Sequence, residues 1–284
     1  MLIWYQMKKI SIICDSVFCV GDIHGNFESL LGCIKKYDLV KSALIVCGDC
    51  GFGFYKEDYY KQVLSKLNKE CIKRDVVVCF VRGNHDDPVY FKTDNYNKSN
   101  VILVQDYTVL EFLNEDPQNY KAVLCIGGAT SIDRTYRMRQ TERNAREYMR
   151  YHHGVDYDEA YRRCQQCYWI DEKPVFSKDL LEDLNNNQIK INYVCTHTCP
   201  SFCEPIHKKG IEEWIKADPA LNDELDEERK VFDDVYEFLK QTGHPLKAWY
   251  YGHYHYHKFM SIDEVKFYLL DMERGGNFDI VEML

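Results

Sequence analysis

Residues 16–25 read SVFCVGDIHG, an apolar run that ends in an acid and an imidazole two residues apart, enclosed by glycines. Side chains at positions i and i+2 of an extended chain point to the same face, so Asp22 and His24 can converge beyond the end of a strand. Such a geometry can chelate a metal. Alternatively, Asp22 caps the helical pattern that follows, Gly21 and Gly25 form a turn, and His24 is an ordinary loop residue. The stretch alone leaves both interpretations open.

The same arrangement recurs along the chain, where short apolar runs are each followed by glycine or a polar cluster. The runs are SVFCV, ALIVC, VVVCFV, AVLCIG, INYVC and KAWYY, and helical patterns such as ESLLGCIKKY and ERKVFDDVYEFLKQ lie between several of them. This alternation predicts an α/β domain with largely buried strands. The segment HKFMSIDEVKFYLLDME instead predicts an antiparallel hairpin that closes a sheet.

Composition and charge narrow the class of protein. The 284 residues are 45% hydrophobic, and their formal net charge of -9 argues against a surface built mainly for nucleic acid or anionic lipid. No uninterrupted apolar stretch approaches the roughly 18 to 20 residues of a membrane span. The thirteen cysteines lack framework spacing and favour reduced thiols, so we expect a cytoplasmic protein.

A single domain is expected over residues 1–284, interrupted by one unusual segment. Between Arg134 and Arg163 the chain has eight arginines, no lysine and five acids, so we interpret about 134–176 as an arginine-rich helical insertion or lid. The acidic stretch DELDEERKVFDD, residues 223–234, predicts a solvent-exposed helix face. The sequence predicts no particular oligomeric state.

Polar residues follow the predicted strands one after another. They are Asp22, His24, Asp49, Asn84, His85, Asp86, His197, His253 and His255. Loops beyond the carboxyl ends of strands assemble sites in α/β proteins, so these side chains can share one crevice. Carboxylate, imidazole and amide groups suit Mn, Fe or Zn. Without His85 and Asp86, seven candidate ligands still exceed what one four-coordinate ion can use, so we expect two divalent ions sharing a bridging carboxylate.

The ordered blocks GDIHG, GDCG, GNHD, THT and GHYH resemble the signature of the calcineurin-like metallophosphoesterases. The resemblance implies a two-sheet β-sandwich flanked by helices and a binuclear centre that hydrolyses phosphoesters. It also implies two ligand sets that share Asp49, with His85 over the substrate and bound to neither metal. The first set is Asp22, His24 and His255, and the second is Asn84, His197 and His253.

Two further stretches refine the resemblance. The block GDCGFG lacks the aspartate and arginine of the GDxVDRG block found in the phosphoprotein phosphatases, so that branch's specificity is not transferred. The segments GGATSIDRTYR and YWIDEKP look like a pattern of small bacterial and phage-type metallophosphoesterases.

The expected reaction is hydrolysis of a phosphomonoester, with a metal-bridging hydroxide attacking in line. We expect His85, with Asp86 as its orienting partner, to hydrogen-bond the phosphate or protonate the leaving group. Arg134, Arg137 and Arg139 are candidate substrate-binding residues, although arginines in such a helix often pair with nearby acids. We expect a phosphorylated substrate, and neither a membrane nor a nucleic acid as partner.

Two alternative functions stay open at this point. The first is a phosphodiesterase that acts on a cyclic nucleotide, a dinucleotide or a nucleic-acid end. The second is a non-catalytic scaffold, which the presence of all seven candidate ligands disfavours.

Overall fold

The structure is a computed structural model that describes residues 7–116, 120–165, 167–208 and 210–283. These residues form twelve strands and seven α-helices. The strands are β1 (Lys9–Ile13), β2 (Ser16–Val20), β3 (Ser42–Cys47), β4 (Val76–Val81), β5 (Val101–Leu103), β6 (Thr108–Leu113), β7 (Lys121–Ile126), β8 (Tyr193–Thr196), β9 (Ala248–Tyr251), β10 (Lys258–Ile262), β11 (Val265–Leu269) and β12 (Ile280–Glu282). The helices are α1 (Phe27–Lys36), α2 (Glu57–Arg74), α3 (Arg134–Tyr151), α4 (Tyr157–Arg163), α5 (Lys178–Asn186), α6 (Ile211–Ala217) and α7 (Leu221–Gln241).

Two mixed sheets lie at the centre of the fold. One has the strand order β1-β6-β7-β8-β9-β11-β10, and the other has the order β12-β2-β3-β4-β5. Strands β2 to β5 are mutually parallel, and so are β7, β8 and β9. In each sheet, the loops that follow the parallel strands therefore leave from the same edge. The polar residues after β2, β3 and β4 share one such edge, and those after β8 and β9 share the other.

Apolar packing explains the layered arrangement. One buried cluster fills the space between the two sheets and includes Cys19, Ile45 and Tyr250. A second cluster packs α1 and α2 on the smaller sheet, and a third packs α5 and α7 on the larger sheet. Strand β3 is buried along its whole length, as its apolar run ALIVC predicts for a strand covered on both faces. The expected two-sheet sandwich flanked by helices is confirmed.

Two other predictions have different outcomes. The hairpin prediction is confirmed, because β10 and β11 pair antiparallel at one end of the larger sheet. The exposed helix face predicted for residues 223–234 is wrong at two positions of α7, since Glu228 and Arg229 are both only 3% exposed. Arg229 is buried because its guanidinium donates to the backbone oxygens of Pro200 and Pro205, which anchors the loop before α6.

Candidate functional site

Glycines precede the candidate ligands because the chain segments converge too closely for a Cβ atom. A Cβ on Gly48 would lie 2.0 Å from Nδ1 of His197, and one on Gly252 would lie 2.2 Å from Oδ1 of Asp22. Gly48 also has a φ of +93°, a conformation that glycine adopts at little cost. The repeated GD and GH pairs of the sequence therefore reflect the crowding of loops from both sheets around one point.

Several of the candidate ligands have an unusual backbone conformation. His24, Asp49, His253 and His255 have φ values of 43°, 46°, 73° and 60°. Non-glycine residues held in this region cost on the order of 1–3 kcal/mol each, and such strain clusters at functional sites. Four such residues in one crevice are what a functional site held by its surrounding fold would show.

The capping alternative for Asp22 does not match the structure. Helix α1 is capped by Asn26, whose side-chain oxygen accepts a hydrogen bond from the backbone N–H of Ser29 at 3.2 Å. The buried carboxylate of Asp22 instead accepts the backbone N–H of His253 at 3.0 Å. Asp22 therefore links the end of β2 to the loop after β9 in the opposite sheet.

Four candidates form a first group with the geometry of a metal site. One potential ligand atom each of Asp22, His24, Asp49 and His255 lies within 4.8 Å of the others. Nε2 of His255 is 3.0 Å from Oδ2 of Asp22 and 3.2 Å from Nε2 of His24. Nε2 of His24 is 3.9 Å from Oδ2 of Asp49.

A second group shares Asp49 with the first. Asp49, His197 and His253 satisfy the same 4.8 Å limit. Nε2 of His197 lies 3.2 Å from Oδ1 of Asp49, 3.2 Å from Nδ1 of His253 and 3.1 Å from Oδ1 of Asn84. The structure thus brings all seven sequence-predicted ligands together, in two groups with Asp49 between them.

The electrostatics of this cluster fit a bound cation. Asp49 is fully buried, and its Oδ2 has no hydrogen-bond partner among the described residues. Burial raises the pKa of Asp49, but the neighbouring histidines, with His197 contributing most, together outweigh that effect and hold this pKa well below its usual range. A buried, ionised oxygen without a partner is strongly unfavourable unless a positive charge lies beside it. The donor set and this orphaned oxygen together indicate a site for divalent metal.

The imidazole of His197 supplies part of that positive charge when no metal is bound. Burial lowers its pKa, but the carboxylates of Asp49 and Asp22 more than compensate and raise the pKa of His197 to about 9. Its Nδ1 lies 2.9 Å from the backbone oxygen of Cys47, which fixes the ring and points Nε2 into the cluster. A histidine must lose this proton to bind a metal, so metal binding here releases a proton.

His85 lies at the rim of the cluster and belongs to neither group. Its backbone N–H donates to Oδ1 of Asp49 at 2.9 Å, and its Nε2 is 3.9 Å from Oδ2 of the same carboxylate. Burial lowers the pKa of His85 to about 4, against the opposing effect of Asp49 and with the positive charge of Arg137 adding to the shift. The imidazole is therefore neutral at pH 7 in the absence of other charges.

Asp86 has a different environment from the one we expected. Its carboxylate accepts hydrogen bonds from the backbone N–H groups of Cys50, Gly51, Phe52 and Gly83 at 2.7–2.9 Å. The structure describes no hydrogen bond between Asp86 and His85. Asp86 thus ties the loop after β3 to the loop after β4, through residues that directly adjoin Asp49 and Asn84.

The three candidate arginines at the start of α3 have separate environments. Arg134 is buried and its Nε lies 2.7 Å from Oδ2 of Asp218, while its two terminal nitrogens pair with Glu224. Arg139 is exposed, on a surface that it shares with Glu142. Arg137 donates to Asp133 at 2.8 Å, and its charge reaches His85. Of the three arginines, Arg137 is the one whose charge contributes to the lowered pKa of His85.

Three residues near the site were not predicted from the sequence. Ser131 Oγ accepts a hydrogen bond from Nδ2 of Asn84 at 2.9 Å, and the buried Glu172 binds Ser131 in turn. Lys208 lines a small cavity with His253; burial lowers the pKa of Lys208, while Asp49 and Asp22 oppose the shift. Only the short segments around Ser131 and Glu172 stood out in the sequence, and no local pattern marked Lys208.

Comparison with known proteins adds an independent line of information. The sequence model described as calcineurin-like phosphoesterase matches residues 16–257. A comparison with curated protein sequences gave no match. The matched residues 16–257 include all seven candidate ligands and His85.

Solved structures with a similar arrangement include three phosphate-related proteins. A dimetal phosphatase from Danio rerio is 13% identical, with 90% of this chain and 87% of that chain covered and a TM-score of 0.47. A phosphopantetheinyl hydrolase from Mycobacterium tuberculosis is 13% identical, with 94% and 95% covered and a TM-score of 0.43. A putative 5'-nucleotidase from Staphylococcus aureus is 12% identical, with 95% and 52% covered and a TM-score of 0.44.

Proposed function

The chain belongs to the calcineurin-like phosphoesterase family and is a metal-dependent phosphoester hydrolase, and we propose that its substrates are phosphomonoesters. The observation that carries this proposal is the pair of ligand groups that share the buried carboxylate of Asp49. A shared carboxylate between two ions is the arrangement that two-metal phosphatases use to hold both ions close together.

The proposed centre holds two divalent ions, with Asp49 bound to both. Asp22, His24 and His255 complete the first site, and Asn84, His197 and His253 complete the second. The mixed carboxylate, imidazole and amide donors favour Mn, Fe or Zn over Mg or Ca, which prefer oxygen ligands alone. When bound, such ions neutralise the charge of a phosphoryl group and activate water.

The protein's own groups complete the proposed chemistry. His85 directs its side chain to the rim of the centre, where it can hydrogen-bond a phosphoryl oxygen or give a proton to the leaving group. Through four backbone hydrogen bonds, Asp86 holds the loop that carries Asp49 against the loop that carries Asn84. Its proposed role is therefore to position catalytic groups rather than to touch substrate.

Charge near the rim supports a monoester over a diester. Arg137 and Lys208 both lower the pKa of His85, so the positive potential of these two side chains extends to a phosphate bound beside His85. A terminal phosphate carries close to two negative charges at neutral pH, because its second pKa is about 6, whereas a diester carries one. The additional charge of the monoester is stabilised by this environment.

Reconstitution with defined metals tests the proposed substrate class. Protein stripped of metal and reloaded separately with Mn, Fe or Zn would be assayed on nitrophenyl phosphate and on bis-nitrophenyl phosphate. We expect kcat/KM for the monoester to exceed that for the diester by about ten-fold or more, which corresponds to about 1.4 kcal/mol of preferential transition-state stabilisation. The reverse preference would establish the phosphodiesterase alternative, and no hydrolysis of either ester with bound metal would favour a scaffold.

Arg137→Ala is expected to raise KM for phosphomonoesters by about ten-fold, in line with the roughly 1.5–3 kcal/mol of a charged hydrogen bond. The reason is that Arg137 is the candidate arginine whose charge reaches His85. Steady-state kinetics on a minimal aryl phosphate and on the best substrate of a wider screen would measure the effect.

Arg146→Ala is the matched control, because Arg146 lies on the same helix, is 71% exposed and pairs with Glu142. It should leave KM unchanged. Substrate contact by Arg134 or Arg139 is also proposed, but Arg134→Ala should chiefly lower stability, since it leaves Asp218 and Glu224 unpaired. Unchanged kinetics for Arg137→Ala on both substrates would contradict substrate binding by Arg137 and favour a purely structural role for the start of α3.

The proposal also covers the domain organisation, the cellular location and the partners of the protein. We propose one domain over residues 1–284 in which about 134–176, containing α3 and α4, is an insertion beside the site. The cysteines buried in the two sheets, such as Cys19, Cys47 and Cys195, are free thiols, which supports a reducing, cytoplasmic location. None of the described helices has both the length and the apolarity to cross a membrane. The net charge of -9 supports a substrate other than long nucleic acid.

A further inference from the structure

The side-chain amide of Asn84 can present either of two chemically opposite groups to the metal site. Only Oδ1 can bind a cation, whereas a rotation of 180° would present an N–H donor that repels it. In the structure, Oδ1 faces Nε2 of His197 at 3.1 Å, and Nδ2 donates to the hydroxyl of Ser131 at 2.9 Å. Without metal, the protonated Nε2 of His197 also favours this orientation, but that proton is lost when metal binds. In the metal-bound protein the contact with Ser131 is therefore what selects the useful orientation.

The hydroxyl of Ser131 cannot fix this orientation alone. A serine hydroxyl is both donor and acceptor and rotates to suit its partners, so it could equally donate to an amide oxygen turned towards it. It reliably accepts from Nδ2 of Asn84 only if its own proton is held elsewhere. A second partner that accepts and does not donate is required.

Glu172 is that partner. Its Oε2 lies 2.8 Å from Oγ of Ser131, and its Oε1 accepts the backbone N–H of Ser131 at 2.6 Å. Burial raises the pKa of Glu172 to about 8, but the positive charge of metal bound beside Asn84 would lower this pKa and favour the ionised carboxylate. An ionised carboxylate can only accept, so in the metal-bound protein Ser131 donates to it and is left as an acceptor for Asn84. With metal bound and Glu172 ionised, the direction of every hydrogen bond from Glu172 to Asn84 is determined.

The surroundings of Glu172 support a specific role. The residue is 1% exposed, and the structure gives it no ion pair within the described residues. Its backbone oxygen accepts from Nη1 of Arg82 at 2.6 Å and lies so near Gly128 that a Cβ there would be 2.4 Å away. An acid buried without a cation is costly, yet the backbone on both sides holds this one in place.

We propose that Glu172 is a positioning residue that acts through Ser131 to keep the amide oxygen of Asn84 pointed at the metal site. The proposal rests on the assignment of Asn84 as a ligand of the second ion under the proposed function. It gives the end of the 134–176 segment a direct task in metal binding, because Glu172 lies near its carboxyl end. The segment is then part of the construction of the centre as well as a neighbour of it.

Metal titration of the full chain tests this role without any substrate. Mn²⁺ would be titrated calorimetrically into metal-stripped wild-type, Glu172→Gln and Ser131→Ala proteins. We expect both variants to bind the second ion about 10- to 100-fold more weakly, as is typical when a partner of a metal ligand is lost, and to bind the first ion as the wild type does. Asp171→Asn is the matched control, since this adjacent carboxylate is exposed and pairs with Lys92 at 2.6 Å, and it should bind both ions normally.

A double variant separates action through Ser131 from a general loss of structure. If Glu172 acts through Ser131, Glu172→Gln combined with Ser131→Ala should weaken the second ion no more than the stronger single change does. Additive losses, or wild-type affinity in both single variants, would overturn the proposal. If Glu172→Gln fails to fold, Ser131→Ala decides alone, because it keeps the carboxylate and the backbone contact and removes only the hydroxyl.

The same experiment distinguishes failure of this proposal from failure of the proposed function. A wild-type protein that binds two ions but hydrolyses no monoester would contradict the substrate class, and the titrations would still decide the role of Glu172. A wild-type protein that binds a single ion would overturn the assignment of Asn84 and the role of Glu172 with it.

Discussion

Asp49→Asn is expected to lower kcat/KM for phosphoester hydrolysis by at least about 1,000-fold, because bound metal supplies several kcal/mol of charge stabilisation in the transition state. Asp49 is the one carboxylate that belongs to both ligand groups. Asparagine has nearly the same shape but carries no charge, and its amide nitrogen cannot bind a cation. The variant should therefore lose paired metal occupancy while it keeps the wild-type fold.

Metal analysis, an aryl phosphate assay and thermal unfolding together measure this result. Asp58→Asn is a suitable control, since Asp58 lies on the surface of α2 and its side chain is 86% exposed. It should retain metal content and activity. Near-normal turnover by Asp49→Asn with two metals bound would contradict the bridging assignment.

His85→Asn is expected to keep both metals and to lose about 10²- to 10⁴-fold in kcat on alkyl phosphates, the range typical of general acid catalysis. The loss on nitrophenyl phosphate should be much smaller, because its leaving group scarcely needs a proton. Metal binding should survive because the contact of residue 85 with Asp49 is made by its backbone N–H.

The pKa of His85 makes the comparison of leaving groups informative. Burial lowers this pKa to about 4, so the imidazole would need the negative charge of a bound phosphate to become an acid near pH 7. An equal loss on alkyl and aryl phosphates would show that His85 instead hydrogen-bonds the phosphate as a neutral donor. His153→Asn, at an exposed position after α3, is the control, and unchanged rates in His85→Asn would refute both roles.

The parts of the site that the sequence predicted are those written into short local patterns. Asp22 and His24 follow a β-branched run, and the glycines beside such residues mark the places where no Cβ fits. The short apolar runs indicate where each strand ends, and parallel pairing places those ends at the same edge of a sheet. Neighbouring sequence was therefore enough to propose all seven ligands.

The parts that the sequence did not predict depend on partners distant in the chain. Arg134 pairs with acids 84 and 90 positions away, and Ser131 binds Glu172 across 41 positions. No local period records such a pair, so an arginine at the start of α3 was equally compatible with substrate contact. The burial of Glu228 in an acidic helix has the same origin, because its partner Thr130 lies 98 positions away.

Both ligand groups draw side chains from both sheets. Asp22 and Asp49 follow strands of the smaller sheet, whereas His197, His253 and His255 follow strands of the larger one. Metal bound to these residues would link the two sheets. If it binds the folded protein and not the unfolded chain, it adds roughly 2.7 kcal/mol to the free energy of unfolding at a free concentration 100 times its Kd. Thermal unfolding with and without a chelator would measure this stabilisation, and the melting temperature should fall when metal is withdrawn. Metal supply would then govern how long the folded protein survives as well as how fast it works.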